Sequence, residues 1–325
     1  MKTIVFSHAL HDASMILLER DPDIEVLIGD KSEPGEYLDA LKRADAFILR
    51  VGRMTGALIR ECPELKVISR PGVGVDVVDV QTATEIGIPV VIAPGANTRS
   101  VAEHAMALLY TIAKNVVESH NETKNGNFFI RNRGVARELK GLKAGVIGFG
   151  NIGRETAKIF RNNELEILVY DPFVKEEIVN AMGYAMVPDL LAILGMSDVI
   201  TLHMPSIPET RGMFGKKEFD AMKDGIFVIN CARGDILVEE ALCDALHSGK
   251  VAGAAVDVMC AEPMDAANPL FELPNFIATP HMASLTVEAF ASVSMMTVQG
   301  TLAVLRGERW PYVFNQDAYE HPRWK

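Results

Sequence analysis

The stretch Ala144-Gly-Val-Ile-Gly-Phe-Gly-Asn-Ile-Gly153 decides how this chain is read. Val146 and Ile147 close an apolar strand. Gly148, Gly150 and Gly153 follow in a G-x-G-x-x-G turn, and 154–160 continues at helical spacing. A second apolar strand, Ile167-Leu-Val-Tyr170, runs directly into Asp171, 18 residues after Gly153. Gly148 permits the tight turn, Gly150 lets a pyrophosphate approach the backbone, and Gly153 lets the helix pack close to the strand. The helix N-terminus offers unpaired N–H groups and a positive dipole end to phosphate. Asp171 stands where a carboxylate can accept hydrogen bonds from both ribose hydroxyls of an adenosine. G-x-G-x-x-G alone is a weak signal. With strand, helix, second strand and terminal acid in register, it predicts a dinucleotide site formed by Gly148, Gly150, Asn151, Ile152, Gly153 and Asp171. Asp171 would repel a 2′-phosphate, and Pro172-Phe173-Val174 brings no arginine to receive one, so NAD(H) is expected rather than NADP(H).

Outward from this stretch, short apolar runs alternate with amphipathic helical segments. Residues 3–6, 25–28, 46–49 and 67–69 read as strands. Residues 14–20, 37–43 and 56–62 read as helices, the last behind Thr55 as N-cap. The pattern restarts at Ala144 and continues through 167–170, 199–202, 226–229 and 251–256. Such alternation implies right-handed βαβ units and parallel sheets. The expected fold is α/β, with two doubly wound Rossmann-like domains. Residues 99–118 read as one long helix with Ala102, Ala105, Met106, Leu109, Ile112 and Ala113 on its apolar face. Ser100 and Glu103 match a capping box opening it. Residues 284–305 form a second long helical stretch. These two helices are expected to carry the chain into the nucleotide domain and back. The nucleotide-binding domain, 99–284, would then be inserted into a substrate domain made of 1–98 and 285–325.

Of the 325 residues, 49% are hydrophobic and 23% charged, the balance of an ordinary globular protein. A net charge of −11 argues against general nucleic-acid binding, which needs cationic surface. Cys62, Cys231, Cys243 and Cys260 show neither C-x-x-C pairing nor histidines at metal-ligand spacing. They read as reduced, mostly buried thiols, with no metal expected. The N-terminal segment turns polar too soon for a signal peptide, and no apolar run approaches the roughly 20 residues that span a bilayer. A cytoplasmic protein with no membrane partner is expected.

Polar groups follow the strands of the second half, where open α/β sheets bind ligands. Asn230-Cys-Ala-Arg-Gly234 follows 226–229, Asp257-Val-Met-Cys-Ala-Glu-Pro263 follows 251–256, and Thr279-Pro-His281 follows 276–278. An arginine fork grips a carboxylate bidentately, and a histidine gives or takes a proton near neutral pH. A neighbouring carboxylate orients the imidazole and stabilises its charged form. Arg233, Glu262 and His281 therefore suit reduction of a 2-keto acid by a nicotinamide. Each also has a plainer reading, as a solvated arginine, a loop acid and a satisfied loop histidine.

At this point the chain resembles the D-isomer-specific 2-hydroxyacid dehydrogenases. The matching pieces are Arg70-Pro-Gly-Val-Gly-Val-Asp76, Asn97-Thr-Arg-Ser-Val-Ala-Glu-His104, the Gly148–Gly153 fingerprint, His203-Met-Pro205 with Glu209-Thr210, Cys231-Ala-Arg-Gly234, 257–263 and Pro280-His281. The resemblance implies NAD-linked interconversion of a D-2-hydroxy acid and its 2-keto acid. Arg233 would hold the substrate carboxylate, His281 act as acid/base and Glu262 tune it. His203, Pro205, Thr210, Cys231, Ala232, Asp257 and His281 would flank the cofactor. Val73 and Gly74, within Gly72-Val-Gly74, would turn N–H groups towards the substrate. The resemblance also implies a site in the cleft between domains and a homodimer paired through the nucleotide domains. Within the family the chain is most like phosphoglycerate dehydrogenase-like members. Arg50, Arg70 and Arg131, with Arg53, are candidates for a substrate phosphate. The chain departs from that pattern at Val77, where Asn is usual, and no regulatory extension of the kind many of those enzymes append is expected. A hydroxypyruvate or glyoxylate reductase, another D-2-hydroxyacid dehydrogenase, and an NAD(H)-sensing binding protein are the alternatives.

Overall fold

The computed structural model describes residues 1–31 and 33–324. The chain forms two compact units, one from Met1–Asn97 and Leu285 onwards, the other from Thr98–Ser284.

The first unit is built on β1 (Lys2–Phe6), β2 (Ile24–Ile28), β3 (Ala46–Ile48), β4 (Val67–Ser69) and β5 (Val90–Val91). They form one parallel sheet in the order β2-β1-β3-β4-β5. The central strands are apolar runs rather than alternating ones, as a sheet covered on both faces requires. One face meets Val298, Leu302 and Leu305 of the helix Val287–Leu305; the other meets Leu41, Ile59, Leu65 and Ala83. Gly300 lets that helix lie on β5, because a Cβ there would stand 2.7 Å from Val91 Cγ1. Thr286 caps the helix by accepting the Ala289 N–H. By length and composition this helix could cross a membrane, contrary to the expectation that no such run exists. In the folded chain, 56% of its most apolar window is buried. The helix behind Thr55 forms as expected, over Gly56–Arg60. The expected 37–43 helix shrinks to Leu38–Leu41 behind a 3-10 turn at Pro34–Tyr37.

The second unit holds β6 (Lys143–Ile147), β7 (Glu166–Tyr170), β8 (Ala185–Met186), β9 (Val199–Leu202), β10 (Ile226–Asn230), β11 (Val251–Val256) and β12 (Phe276–Ala278). All are parallel, in the order β12-β11-β10-β9-β6-β7-β8. Strand order reverses between β6 and β9, the switch point where such sheets open a crevice. Helices Thr98–Ala113 and Asn151–Asn162 cover one face, burying Ala105, Leu109, Ala157 and Phe160. The other face buries Leu194, Phe219, Leu242 and Leu246.

The predicted helix over 99–118 is two helices, Thr98–Ala113 and Val116–Lys124. Asn115 breaks it at φ +53°, a left-handed geometry that Asn tolerates better than most residues. Arg137 N–H takes up the Ala113 carbonyl at the break. Nor do Ser100 and Glu103 form a capping box. The helix already begins at Thr98, Ser100 is buried and donates to the Ala283 carbonyl, and Glu103 pairs with Arg99. The four cysteines are free, but only Cys62 is fully buried and Cys260 is exposed.

Candidate active site

Because the seven strands of the second unit are parallel, the loops after β6, β7, β9, β10, β11 and β12 all leave the same edge of the sheet. After β6, Gly148 takes φ +92°, and a Cβ on it would stand 2.8 Å from the His203 backbone. A Cβ on Gly153 would lie 2.0 Å from the Gly148 carbonyl oxygen. Only glycine fits either position. At Gly150 nothing stands within 4 Å of where a Cβ would be. That open cradle faces the N-terminus of the helix Asn151–Asn162, which has no side-chain cap. The opening suits a pyrophosphate on the N–H groups of Asn151 and Ile152. Asp171, at the end of β7, accepts the Phe149 N–H at 2.7 Å and the Phe173 N–H at 2.8 Å. Its carboxylate is thereby fixed beside the glycine turn, with lone pairs left on both oxygens for ribose hydroxyls.

His203, after β9, lies across the switch point. Its Nε2 pairs with Thr201 Oγ1 at 2.9 Å, whereas its Nδ1 is buried without a protein partner. Burial pushes its pKa down to about 3, so the ring is neutral near pH 7. An orphaned ring nitrogen beside the glycine loop is the polar loose end that a bound dinucleotide would cover. Thr210 closes the following turn by donating to the Pro205 carbonyl at 2.6 Å and accepting the Ile207 N–H at 2.9 Å.

The arginine turn is clamped by Asn230, itself fully buried. Asn230 Oδ1 accepts the Ala232 N–H at 2.9 Å, and its Nδ2 donates to the Arg233 carbonyl at 2.8 Å. Burial, then the charge of Asp257, pushes the Cys231 thiol far above its ordinary range, which makes it a poor nucleophile. A Cβ on Gly234 would lie 2.0 Å from the Met259 backbone. The turn bearing Arg233 thus packs directly on the loop leading to Glu262.

After β12 the chain turns on Asp257, which is 1% exposed. Asp257 Oδ1 accepts from Thr279 Oγ1 at 2.5 Å and from Met282 N–H at 2.9 Å; Oδ2 accepts from Ala283 N–H at 2.8 Å. The geometry thus gives Asp257 a loop-anchoring task. His281 occupies a left-handed φ of +50°, its N–H bonded to the Asp257 carbonyl at 2.8 Å. Its Nδ1 stands 2.8 Å from Glu262 Oε2, and both side chains remain partly open to solvent. A histidine oriented by a carboxylate, at the strand ends of a dinucleotide fold, is an acid/base arrangement.

Residues 106–283 match the NAD binding domain of the D-isomer specific 2-hydroxyacid dehydrogenases. The chain belongs to that family. It is 40% identical over 308 residues, 94% of its length, to a D-3-phosphoglycerate dehydrogenase of Archaeoglobus fulgidus. Over 316 residues, 97% of its length, it is 39% identical to the enzyme of that name from Methanocaldococcus jannaschii. It spans 58% and 60% of those two relatives. Among solved structures, the TT0316 protein of Thermus thermophilus superposes with a TM-score of 0.88 at 31% identity, covering 96% of this chain and 99% of that one. An NAD-dependent formate dehydrogenase of Staphylococcus aureus, in complex with NAD, gives 0.83 at 28% identity, covering 95% and 97%.

The arginines expected to meet a substrate phosphate are more constrained than the sequence suggests. Arg70 donates to the Leu49 and Arg50 carbonyls and, at 3.2 Å, to the Gly74 carbonyl. Its guanidinium therefore ties the 70–74 turn to the end of β3. Val73 is 42% exposed on that turn, behind Gly72 at φ +149°. Arg50 stacks over Phe290 at 4.9 Å and donates to the Ala9 carbonyl at 3.3 Å. Arg131 lies in the second unit, on an exposed 3-10 segment, over the Phe128 ring. Asn230, Gly234, Thr279 and His104 lie within quoted motifs, yet their sequence context assigns none of them a task of its own. A buried polar side chain ending an apolar strand, as at Asn230, is the signal that could have found one of them.

Proposed function

We propose that this protein interconverts a D-2-hydroxy acid and its 2-keto acid with NAD(H), with D-3-phosphoglycerate and 3-phosphohydroxypyruvate as the first pair to test. The observation that carries the reading is the 2.8 Å contact between His281 Nδ1 and Glu262 Oε2, at the strand ends that also bear Arg233. Bound on the glycine loop, NADH would supply the hydride that reduces the keto carbon. With Nδ1 held by Glu262, His281 would present Nε2 to the carbonyl oxygen and give it a proton as the alkoxide forms. Arg233 would grip the carboxylate through two parallel hydrogen bonds and fix which face of the carbonyl is turned to the nicotinamide. The names of the relatives support a phosphorylated substrate. Arg50 and Arg131 are the cations proposed to read its phosphate, while Arg70 would act on the shape of the 70–74 turn. The test is NADH oxidation against a panel of 2-keto acids with and without a phosphate. Failure of every 2-keto acid would sink the reading; turnover of unphosphorylated acids alone would move it to a hydroxypyruvate or glyoxylate reductase.

We further infer a homodimer paired through the second unit. Phe128, Phe129, Val116, Val117 and Val135 are exposed there within one short stretch of chain, and clustered exposed apolar residues mark interaction surfaces. Four free cysteines suit a reducing, cytoplasmic setting.

A further inference from the structure

The helix Thr98–Ala113 touches the His281 loop at both ends of that loop. Ser100 Oγ donates to the Ala283 carbonyl, and His104 Nε2 stands 2.9 Å from Thr279 Oγ1. Four residues apart, Ser100 and His104 share one face of the helix. The donor at each contact follows from proton counting. Thr279 has a single hydroxyl proton, and the Asp257 carboxylate at 2.5 Å can only accept it. Thr279 Oγ1 is then left as an acceptor towards His104, so His104 must carry its proton on Nε2. His104 also approaches Asp257 Oδ1 at 3.5 Å. His281 sits between these two grips, in a left-handed conformation that a non-glycine residue keeps only when its surroundings enforce it.

We propose that Ser100 and His104 are positioning residues, a two-point clamp that holds the 279–283 loop so that His281 stays aimed at the substrate. The part of this that concerns catalysis rests on the reading of His281 as the proton donor. Neither residue touches reacting atoms; both act through the loop. His104 works through Thr279 and Asp257, and Ser100 through Ala283.

The test compares His104→Leu, His104→Gln and Ser100→Ala in the full chain. It follows kcat on the best keto acid, NADH affinity by fluorescence titration, and hydrogen exchange of the peptide covering 279–284. Loss of one hydrogen bond is worth about tenfold. His104→Leu should therefore lower kcat about tenfold with NADH affinity held within about twofold. It should also speed exchange in 279–284 about tenfold, with β6 and β10 unchanged. His104→Gln keeps an N–H of similar reach and should recover most of both effects. Ser100→Ala should loosen the Ala283 end and serves as the second variant if His104→Leu folds poorly. In a His281→Gln background, His104→Leu should cost no further kcat, because the two act as one unit. Unchanged exchange in 279–284, a Gln variant no better than Leu, or an undiminished effect without His281 would each overturn the clamp. Absent turnover with an intact exchange response would instead remove the activity reading and leave the clamp standing.

Discussion

Replacing His281 by Gln keeps a polar side chain on the loop but removes the transferable proton. General acid catalysis contributes about 10²–10⁴-fold, so kcat should fall by that order while NADH affinity changes little. Equal losses in both, measured by steady-state kinetics and fluorescence titration, would mean that the loop had collapsed instead. His203 makes the opposite use of imidazole. Burial holds its pKa at about 3, against 6.5 in an unfolded chain. Below pH 6.5 the unfolded state takes a proton that the folded state refuses, so stability is complete above 6.5 and is lost progressively as pH falls towards 3. His203→Gln removes that slope. Urea midpoints measured from pH 7.5 down to 4.5 should fall more steeply for the native protein than for the variant, and parallel curves would contradict the assignment.

The join of β6, turn and helix at 148–153 works as an element only while its backbones can touch. Gly153→Ala would put a methyl 2.0 Å from the Gly148 carbonyl, so the helix must retreat from the strand. NADH affinity should drop by an order of magnitude or more, which titration would show; unaltered affinity would refute the packing argument. This element was legible in the sequence because glycine spacing, strand and acid all constrain the same few residues. The parallel sheets were legible too, through apolar runs such as 199–202 and 251–256. Other features exist only in three dimensions. β5 and β8, two residues each, are too short to show a period. The helix break at Asn115 has no Gly or Pro to announce it. Ser100 carries the pattern of a cap, yet the helix starts two residues earlier and its hydroxyl serves a loop 183 residues away. Arg70 presents the charge a ligand needs, but its guanidinium donates to carbonyls at the end of β3 and in its own turn. Glu262 and His281 could be singled out from their place after strands, whereas the Asp257 and Thr279 framework that sets His281 depends on a turn no spacing rule describes.

At the scale of the whole molecule, the surface of the segment 110–135 would set how two copies of the chain meet. The helix Val116–Lys124 contains no buried residue, and neither does the 3-10 helix Phe128–Arg133. An ion pair between Arg133 and Glu118 ties the two segments to each other. Phe128 is 60% exposed and Phe129 74%, and each packs edge-on against the other rather than into a core. Surface of that kind normally meets a partner, and in most oligomers the partner is a second copy related by a two-fold axis. In a two-fold pairing the patch would meet its own copy, so one changed residue would act twice at the interface. Phe129→Glu places two carboxylates in the apolar centre of such a contact, where charge is not solvated. The native protein should elute, by light scattering coupled to size exclusion, with the mass of two chains at micromolar concentration. Phe129→Glu should elute with the mass of one, its NADH affinity retained because the glycine loop is elsewhere in the unit. A native protein already running as a single chain would remove the dimer; a variant still running as two would move the contact to another face.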